Sequence, residues 1–281
     1  MTALLNFLAR IAPGLTGRIA FFLFCFPRPK RLKEKEARFL ADARTSTVRV
    51  NGRKYAIHEW GTGDRLAILA HGWESHSGRW RKLTPMLLKA GYRVLALDAP
   101  AHGQSPGVRF TMLEYAQAIT CLLQHHGPAA LLVGHSVGAS SAIWAMSETA
   151  AAHLPARALL LCPFSTLRYT LEKSARQLGI GEGVMNALAH RIYLFSGHTL
   201  EQIDLAERAA AIRGVNALLI HDRGDKVTAF SESERIVARW PEAQLSLTNG
   251  CGHGLTAPEA YALMEDFIGP DNTIQASSAH T

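Results

Sequence analysis

Two hydrophobic rhythms divide this chain. Around residues 47–60 apolar and polar positions alternate, in Thr47-Val48-Arg49-Val50 and Tyr55-Ala56-Ile57-His58-Glu59-Trp60, joined through Asn51-Gly52. A period of two closed by Asn-Gly predicts an antiparallel hairpin with a two-residue turn. From residue 66 the alternation gives way to continuous apolar runs: Leu66–Ala70, Val94–Leu97, Ala129–Val133, Ala158–Leu161 and Ala217–Ile220, with Gln244–Thr248 as a last strand. Helical stretches separate them, among them Arg79–Ala90, Leu113–His125, Glu232–Trp240 and Tyr261–Ile268. Strand and helix in alternation, with strands apolar throughout, predict an α/β architecture. A mostly parallel central sheet of about eight strands carries helices on both faces, and the hairpin forms its antiparallel edge.

One stretch interrupts the alternation. Between Phe164 and Arg213 no strand is evident, and Leu167–Leu178, Val184–Tyr193 and Leu200–Ala211 read as helices. An insertion after the sixth strand lies over the strand C-terminal ends, where ligands bind in open α/β sheets. Residues 165–200 are therefore expected to form a lid, and the remainder to return as a sheet-covering helix. The apolar residues of this lid (Leu167, Leu171, Leu178, Met185 and Leu188) suggest an acyl or alkyl group of moderate size.

Charge changes the picture at the N-terminus. The net charge is +7, yet residues 1–54 hold 12 Lys/Arg against 3 acids. Leu4, Leu5, Leu8, Ile11 and Leu15 recur at helical spacing, followed by the apolar run Ile19–Phe26, Pro27, Pro29 and a charged stretch. The apolar run is far short of the roughly 20 residues that span a bilayer. No Ala-x-Ala-like cleavage site follows it. Two readings stay open for residues 1–35: an amphipathic helix against a membrane surface or a partner, and a helix packed on the protein's own body, which is the plainer. No nucleic-acid motif accompanies the basic end, so no nucleic-acid partner is expected. Cys25, Cys121, Cys162 and Cys251 are scattered without metal or disulfide spacing. They read as buried thiols in a reducing cytoplasm, with peripheral attachment to the inner face of the membrane under the first reading. No cofactor motif appears, and the histidines show no metal-ligand spacing.

The chemistry centres on Gly134-His135-Ser136-Val137-Gly138. An apolar strand precedes it, and a run of helix formers, Ala139–Met146, follows. The serine thus sits where a strand turns directly into a helix. Strand and helix crowd such a turn, so positions 134 and 138 need small residues. The helix N-terminus behind the hydroxyl offers free N–H groups to a developing oxyanion.

A serine hydroxyl needs a base, and the base needs an acid to fix its tautomer. In this architecture both come from later loops at the same sheet edge, acid first. After the seventh strand runs His221-Asp222-Arg223-Gly224-Asp225. Asp225 lies far enough along the loop to curl back toward Ser136, while Asp222 suits an Asx-type turn. After the eighth strand, Asn249-Gly250-Cys251-Gly252-His253-Gly254 puts His253 on a loop that can bend. For the oxyanion, one backbone donor is expected from Val137. The other is expected from Trp73, in the His71-Gly72-Trp73-Glu74 loop after the third strand.

These residues resemble the α/β-hydrolase superfamily over roughly 47–268. The resemblance rests on His71-Gly72, Asp98-Ala99-Pro100-Ala101-His102-Gly103-Gln104-Ser105, the Gly134–Gly138 turn, Asp225 and His253. Ala101 stands where the family's Asp-x-Pro-Gly-His-Gly-x-Ser segment usually has glycine, and His102 there normally supports the loop. The resemblance implies the α/β-hydrolase fold and a serine hydrolase, with Ser136, Asp225 and His253 as its triad, acting on a small-molecule carboxylic ester or thioester. The alternative is a non-hydrolytic relative of the same fold: a lyase, a haloperoxidase-like enzyme or a ligand-binding protein. Residues 1–46 form an extension outside the resemblance, and 269–281 a polar tail expected to be mobile.

Overall fold

Asn51 and Gly52 both adopt positive φ (48° and 77°), the turn that matches strand twist in a two-residue hairpin. A computed structural model describes residues 2–269 of the chain; the expected mobile tail beyond Gly269 lies outside the described residues. The turn joins β1 (Arg44–Val50) to β2 (Arg53–Trp60). Six further strands follow: β3 (Arg65–Ala70), β4 (Tyr92–Leu97), β5 (Leu131–His135), β6 (Arg157–Leu161), β7 (Asn216–Asp222) and β8 (Ala243–Thr248). The sheet order is β1-β2-β4-β3-β5-β6-β7-β8. Every pairing from β4 to β8 is parallel, and only the hairpin and its junction with β4 are antiparallel.

The continuous apolar runs are buried on both faces, as parallel strands must be. Ile68, Leu132, Leu160 and Leu219 enter one core, and Leu69, Val133, Leu159 and Ile220 enter the other. Eleven α-helices surround the sheet among the described residues: α1 (Thr2–Ile11), α2 (Pro13–Cys25), α3 (Glu34–Ala41), α4 (Leu83–Lys89), α5 (Met112–His125), α6 (Val137–Ser147), α7 (Leu167–Leu178), α8 (Glu182–Ser196), α9 (Leu205–Ala209), α10 (Ser231–Val237) and α11 (Pro258–Ile268). None is long and apolar enough to cross a membrane.

Among the boundaries that differ from the sequence reading, three have a plain local cause. The helix expected over 79–90 splits into a 3₁₀ turn, Ser77–Arg81, and α4. Pro85 has no N–H to give the carbonyl of Arg81, so an α-helix cannot run back through that point. The helix expected over 200–211 shortens to α9, because the Asp204 side chain accepts from the N–H groups of Ala206 and Glu207 and fixes the start. The charged stretch after Pro29 leads into α3, started by a bond from the Lys33 N–H to Glu36 (2.8 Å).

α7 and α8 form the helical insertion after β6. The N-terminal pair α1–α2 lies on it. A Cβ at Gly17 would come within 2.4 Å of the Ala187 carbonyl oxygen, so the missing side chain lets α2 press directly on α8. Asn6 caps the turn between α7 and α8, accepting from the Gly181 N–H and donating to the Gly179 carbonyl. Of the apolar insertion residues, Leu171 and Leu188 are core packing and Leu178 is 59% exposed, so they do not form one pocket wall.

Candidate active site

Ser136 connects β5 to α6 with φ 53° and ψ −124°, a conformation that costs an L-residue of order 1–3 kcal/mol. Its neighbours explain why it is held there. A Cβ at Gly134 would lie 2.4 Å from Ala139 Cα, and one at Gly138 would lie 2.3 Å from the Ala70 carbonyl oxygen. Only glycine lets β5, α6 and β3 meet this closely. The Ser136 N–H is tied to the Leu161 carbonyl at 2.7 Å, which anchors the turn to β6.

The expected acid and base meet. His253 Nδ1 donates to Asp225 Oδ2 at 2.6 Å. A neutral imidazole that donates through Nδ1 keeps a lone pair on Nε2, the tautomer a base needs. Asp225 is also held by the N–H groups of Val227 (2.7 Å) and Thr228 (3.0 Å). Burial would push its carboxyl up, but bonds from His221, His253 and the backbone hold it well below the usual carboxylate range. It therefore stays ionised beside His253.

The His253 loop is anchored from three sides. His135 Nε2 donates to the His253 carbonyl at 2.8 Å, and Arg79 to the Gly254 carbonyl at 3.2 Å. Asp222 accepts from the Cys251 N–H at 2.7 Å, as well as from Thr248 (2.9 Å) and the Gly224 N–H (2.9 Å). Asp222 thus makes the Asx-type turn and braces the loop. The ring of His135, which precedes Ser136 in the chain, lies 5.0 Å from that of His253. Among the described residues no hydrogen bond joins the Ser136 hydroxyl to His253 Nε2. Such bonds commonly tighten only when substrate is bound.

The loop after β3 is built around its first peptide. His71 Nδ1 donates to the Gly72 carbonyl at 2.8 Å, while its Nε2 accepts from the Ala99 N–H at 3.0 Å. A trans peptide sets C=O and N–H on opposite sides. With the Gly72 carbonyl turned to His71, the Trp73 N–H points away from that ring. A Cβ at Gly72 would sit 3.2 Å from Ser136 Cβ, so this peptide lies against the serine. Val137 opens α6, where the helix leaves its N–H without an internal partner. The Trp73 side chain is 38% exposed and stands edge-on to Phe110 and His102. His102 accepts from the Glu74 N–H at 3.0 Å, the supporting task expected of it.

Three neighbours escaped the sequence reading. His221, which the sequence reading gave no role, lies 3.2 Å from Asp225 Oδ2. His135 is hidden inside the serine motif, where any residue is permitted. Cys162, with φ 49° at the end of β6, brings its sulfur within 4.8 Å of ligand atoms of Asp225 and His253. Burial and the Asp225 charge push its thiol well up, so it stays protonated. Only the order strand end, loop, strand end could have flagged Cys162.

The profile of the alpha/beta hydrolase family matches residues 67–263, which hold Trp73, Ser136, Asp225 and His253. The chain belongs to that family. The alpha/beta hydrolase domain is 32% identical to human monoglyceride lipase over 112 residues, 36% of this chain and 37% of that one. It is 34% identical to a non-heme haloperoxidase of Rhodococcus erythropolis over 91 residues, 31% of this chain and 33% of that one. The matches thus span little more than a third of either relative. Among solved structures, the Pyrococcus furiosus esterase Pf2001 superposes with a TM-score of 0.63 at 20% identity, covering 86% of this chain and 94% of that one. A thioesterase domain from the curacin biosynthetic pathway superposes with a TM-score of 0.59 at 20% identity, covering 80% and 98%. At such identities these two likenesses speak for the fold alone.

Proposed function

We propose that this alpha/beta hydrolase is a serine hydrolase that cleaves a carboxylic ester or thioester through an acyl-enzyme. Ser136 attacks the carbonyl carbon while His253 Nε2 takes its proton. Asp225 holds the ring and stabilises the imidazolium. The tetrahedral oxyanion accepts from the Trp73 and Val137 N–H groups. His253 then protonates the leaving group, and water, activated by the same ring, releases the acid. The observation that carries the reading is the 2.6 Å bond from His253 Nδ1 to a buried, ionised Asp225, beside a serine with strained φ. A binding protein has no need of that combination. The match to monoglyceride lipase supports an ester-type substrate.

The helices α7 and α8 serve as the lid. α7 is fastened to the acid loop by Lys173, which donates to the carbonyls of Lys226 (2.9 Å) and Val227 (2.8 Å). Opening of α7 therefore loosens the loop that carries Asp225. The haloperoxidase match keeps a second reading alive, in which the same residues serve a non-hydrolytic reaction. Turnover of p-nitrophenyl esters of increasing chain length separates the two. Hydrolysis that disappears in Ser136→Ala supports the first; turnover that survives the substitution, or none with any ester, removes it.

A further inference from the structure

The N-terminal pair α1–α2 presents a second face that the fold does not cover. α1 turns Leu5 and Ala9 toward the body, and on the opposite side Leu4, Phe7 and Ile11 are 69%, 58% and 66% exposed. α2 buries Gly17, Ala20 and Phe21, and on its opposite side Leu15 and Phe22 are each 52% exposed; the Phe22 ring lies 5.2 Å from that of Phe26. These positions recur at i, i+3 and i+7, one stripe per helix. Single exposed apolar residues are ordinary, but two stripes of large ones on consecutive helices are not.

Charge decides what covers them. Residues 1–35 hold seven Lys/Arg and one acid, while residues 36–281 hold 23 and 22. Nearly the whole net charge of +7 is therefore in this segment. Arg28 pairs with Glu74. Arg10, Arg18, Lys30, Arg31, Lys33 and Lys35 are exposed, and none pairs with an acid among the described residues. Large apolar side chains interleaved with unpaired cations fit a surface that offers hydrocarbon below a layer of negative charge.

We propose that residues 2–35 dock this protein on an anionic lipid bilayer, with Leu4, Phe7, Ile11, Leu15 and Phe22 entering the interface and the six cations meeting headgroup phosphates. The same segment reaches the candidate active site. Arg28 donates through its backbone N–H and its guanidinium to Glu74 (3.0–3.3 Å), in the loop that carries Trp73. The Cys25 carbonyl accepts from the Phe110 N–H at 2.8 Å, and Phe110 packs on Trp73. The docked face and the oxyanion loop are thus one connected piece. Binding is independent of the hydrolase reading, since neither helix contributes a group to the proposed chemistry.

The test is co-sedimentation of the 281-residue chain with sucrose-loaded vesicles of phosphatidylcholine, with and without about 30% phosphatidylserine. The bound fraction is expected to be at least about tenfold higher on the anionic vesicles and to fall when salt rises from about 0.1 to 0.5 M. The triple variant Leu4→Ser/Phe7→Ser/Ile11→Ser and, separately, Arg10→Glu/Arg18→Glu should both remain in the supernatant. All five positions are exposed, so circular dichroism and the melting temperature should match the parent. Parent protein that stays in the supernatant with anionic vesicles overturns the proposal, as does a triple variant that sediments like the parent. So does a parent dimer that the triple variant converts to monomer, which would put a second copy of the chain on this face.

Discussion

His221 Nε2 stands 3.2 Å from Asp225 Oδ2, the same oxygen that receives His253 Nδ1 at 2.6 Å. Its Nε2 also faces the Thr228 carbonyl at 3.0 Å, which can only accept, so Nε2 carries the proton. Nδ1 then accepts from the Ser233 hydroxyl at 2.7 Å. Two histidines therefore converge on one carboxylate, one from β7 itself and one from the loop after β8. We infer that His221 is a positioning residue: its Nε2 proton, shared between the Thr228 carbonyl and Asp225, helps keep the carboxylate in the rotamer that meets His253.

Replacing His221 by Ala should lower kcat about tenfold, the low end for a hydrogen bond to a charged group, and leave KM near the parent value. His221→Gln keeps a donor near the same place and should recover most of the loss. Steady-state ester kinetics on both variants check this. Equal losses in Ala and Gln would reduce His221 to packing.

The two candidate acids should separate cleanly. Asp225→Asn should cost roughly 10³–10⁴ in kcat, because the amide favours the wrong tautomer of His253. Asp222 meets three donors in the loops and none of them reacts. Asp222→Asn should chiefly lower the melting temperature, by several degrees, with a far smaller change in kcat. Paired kinetics and thermal melts distinguish them; the reverse pattern would exchange their roles.

Ala101 adopts φ 59°, a left-handed conformation that costs an alanine about 1 kcal/mol. Ala101→Gly removes that strain where no Cβ is needed. It should raise the melting temperature by about 2–4 °C, as read by scanning calorimetry. An unchanged or lower value would mean that the Ala101 methyl contributes packing equal to the strain.

His71 is one of four buried histidines, with His76, His102 and His135, that desolvation makes harder to protonate in the folded chain. Burial, only partly offset by Asp98, lowers its pKa to about 3 from 6.5. The unfolded chain thus binds a proton that the folded one refuses between those values. The stabilisation is complete above about pH 6.5 and drains away as pH falls toward 3, at no more than about 1.4 kcal/mol per pH unit. Melting temperatures measured from pH 7.5 to 4.5 should fall below pH 6.5, and His71→Asn should flatten that slope even where it lowers the starting value.

What could be read from residues alone follows a physical division. The strands β3 to β7 were legible because a parallel strand buried on both faces is apolar almost throughout, and the hairpin because Asn51-Gly52 admits few other conformations. The turn at Ser136 and the meeting of Asp225 with His253 were legible because chain order and strand ends constrain where those residues can sit. His221 was not, because a histidine inside a strand looks like a satisfied core residue until its neighbours are known. The pairing of α2 with α8 was also hidden. It depends on Gly17 meeting the Ala187 carbonyl across a long sequence separation, and no local pattern encodes that contact. The exposed stripes of α1 and α2 were visible as helical spacing, but only packing tells which face is left over.

The most direct test of the central claim is mass spectrometry of the intact protein, and of its peptides, after treatment with a fluorophosphonate. A single adduct is expected on Ser136, absent from Ser136→Ala and formed at least about a hundredfold more slowly in His253→Ala. Labelling of another serine, or equal labelling rates in the parent and the His253 variant, would contradict it.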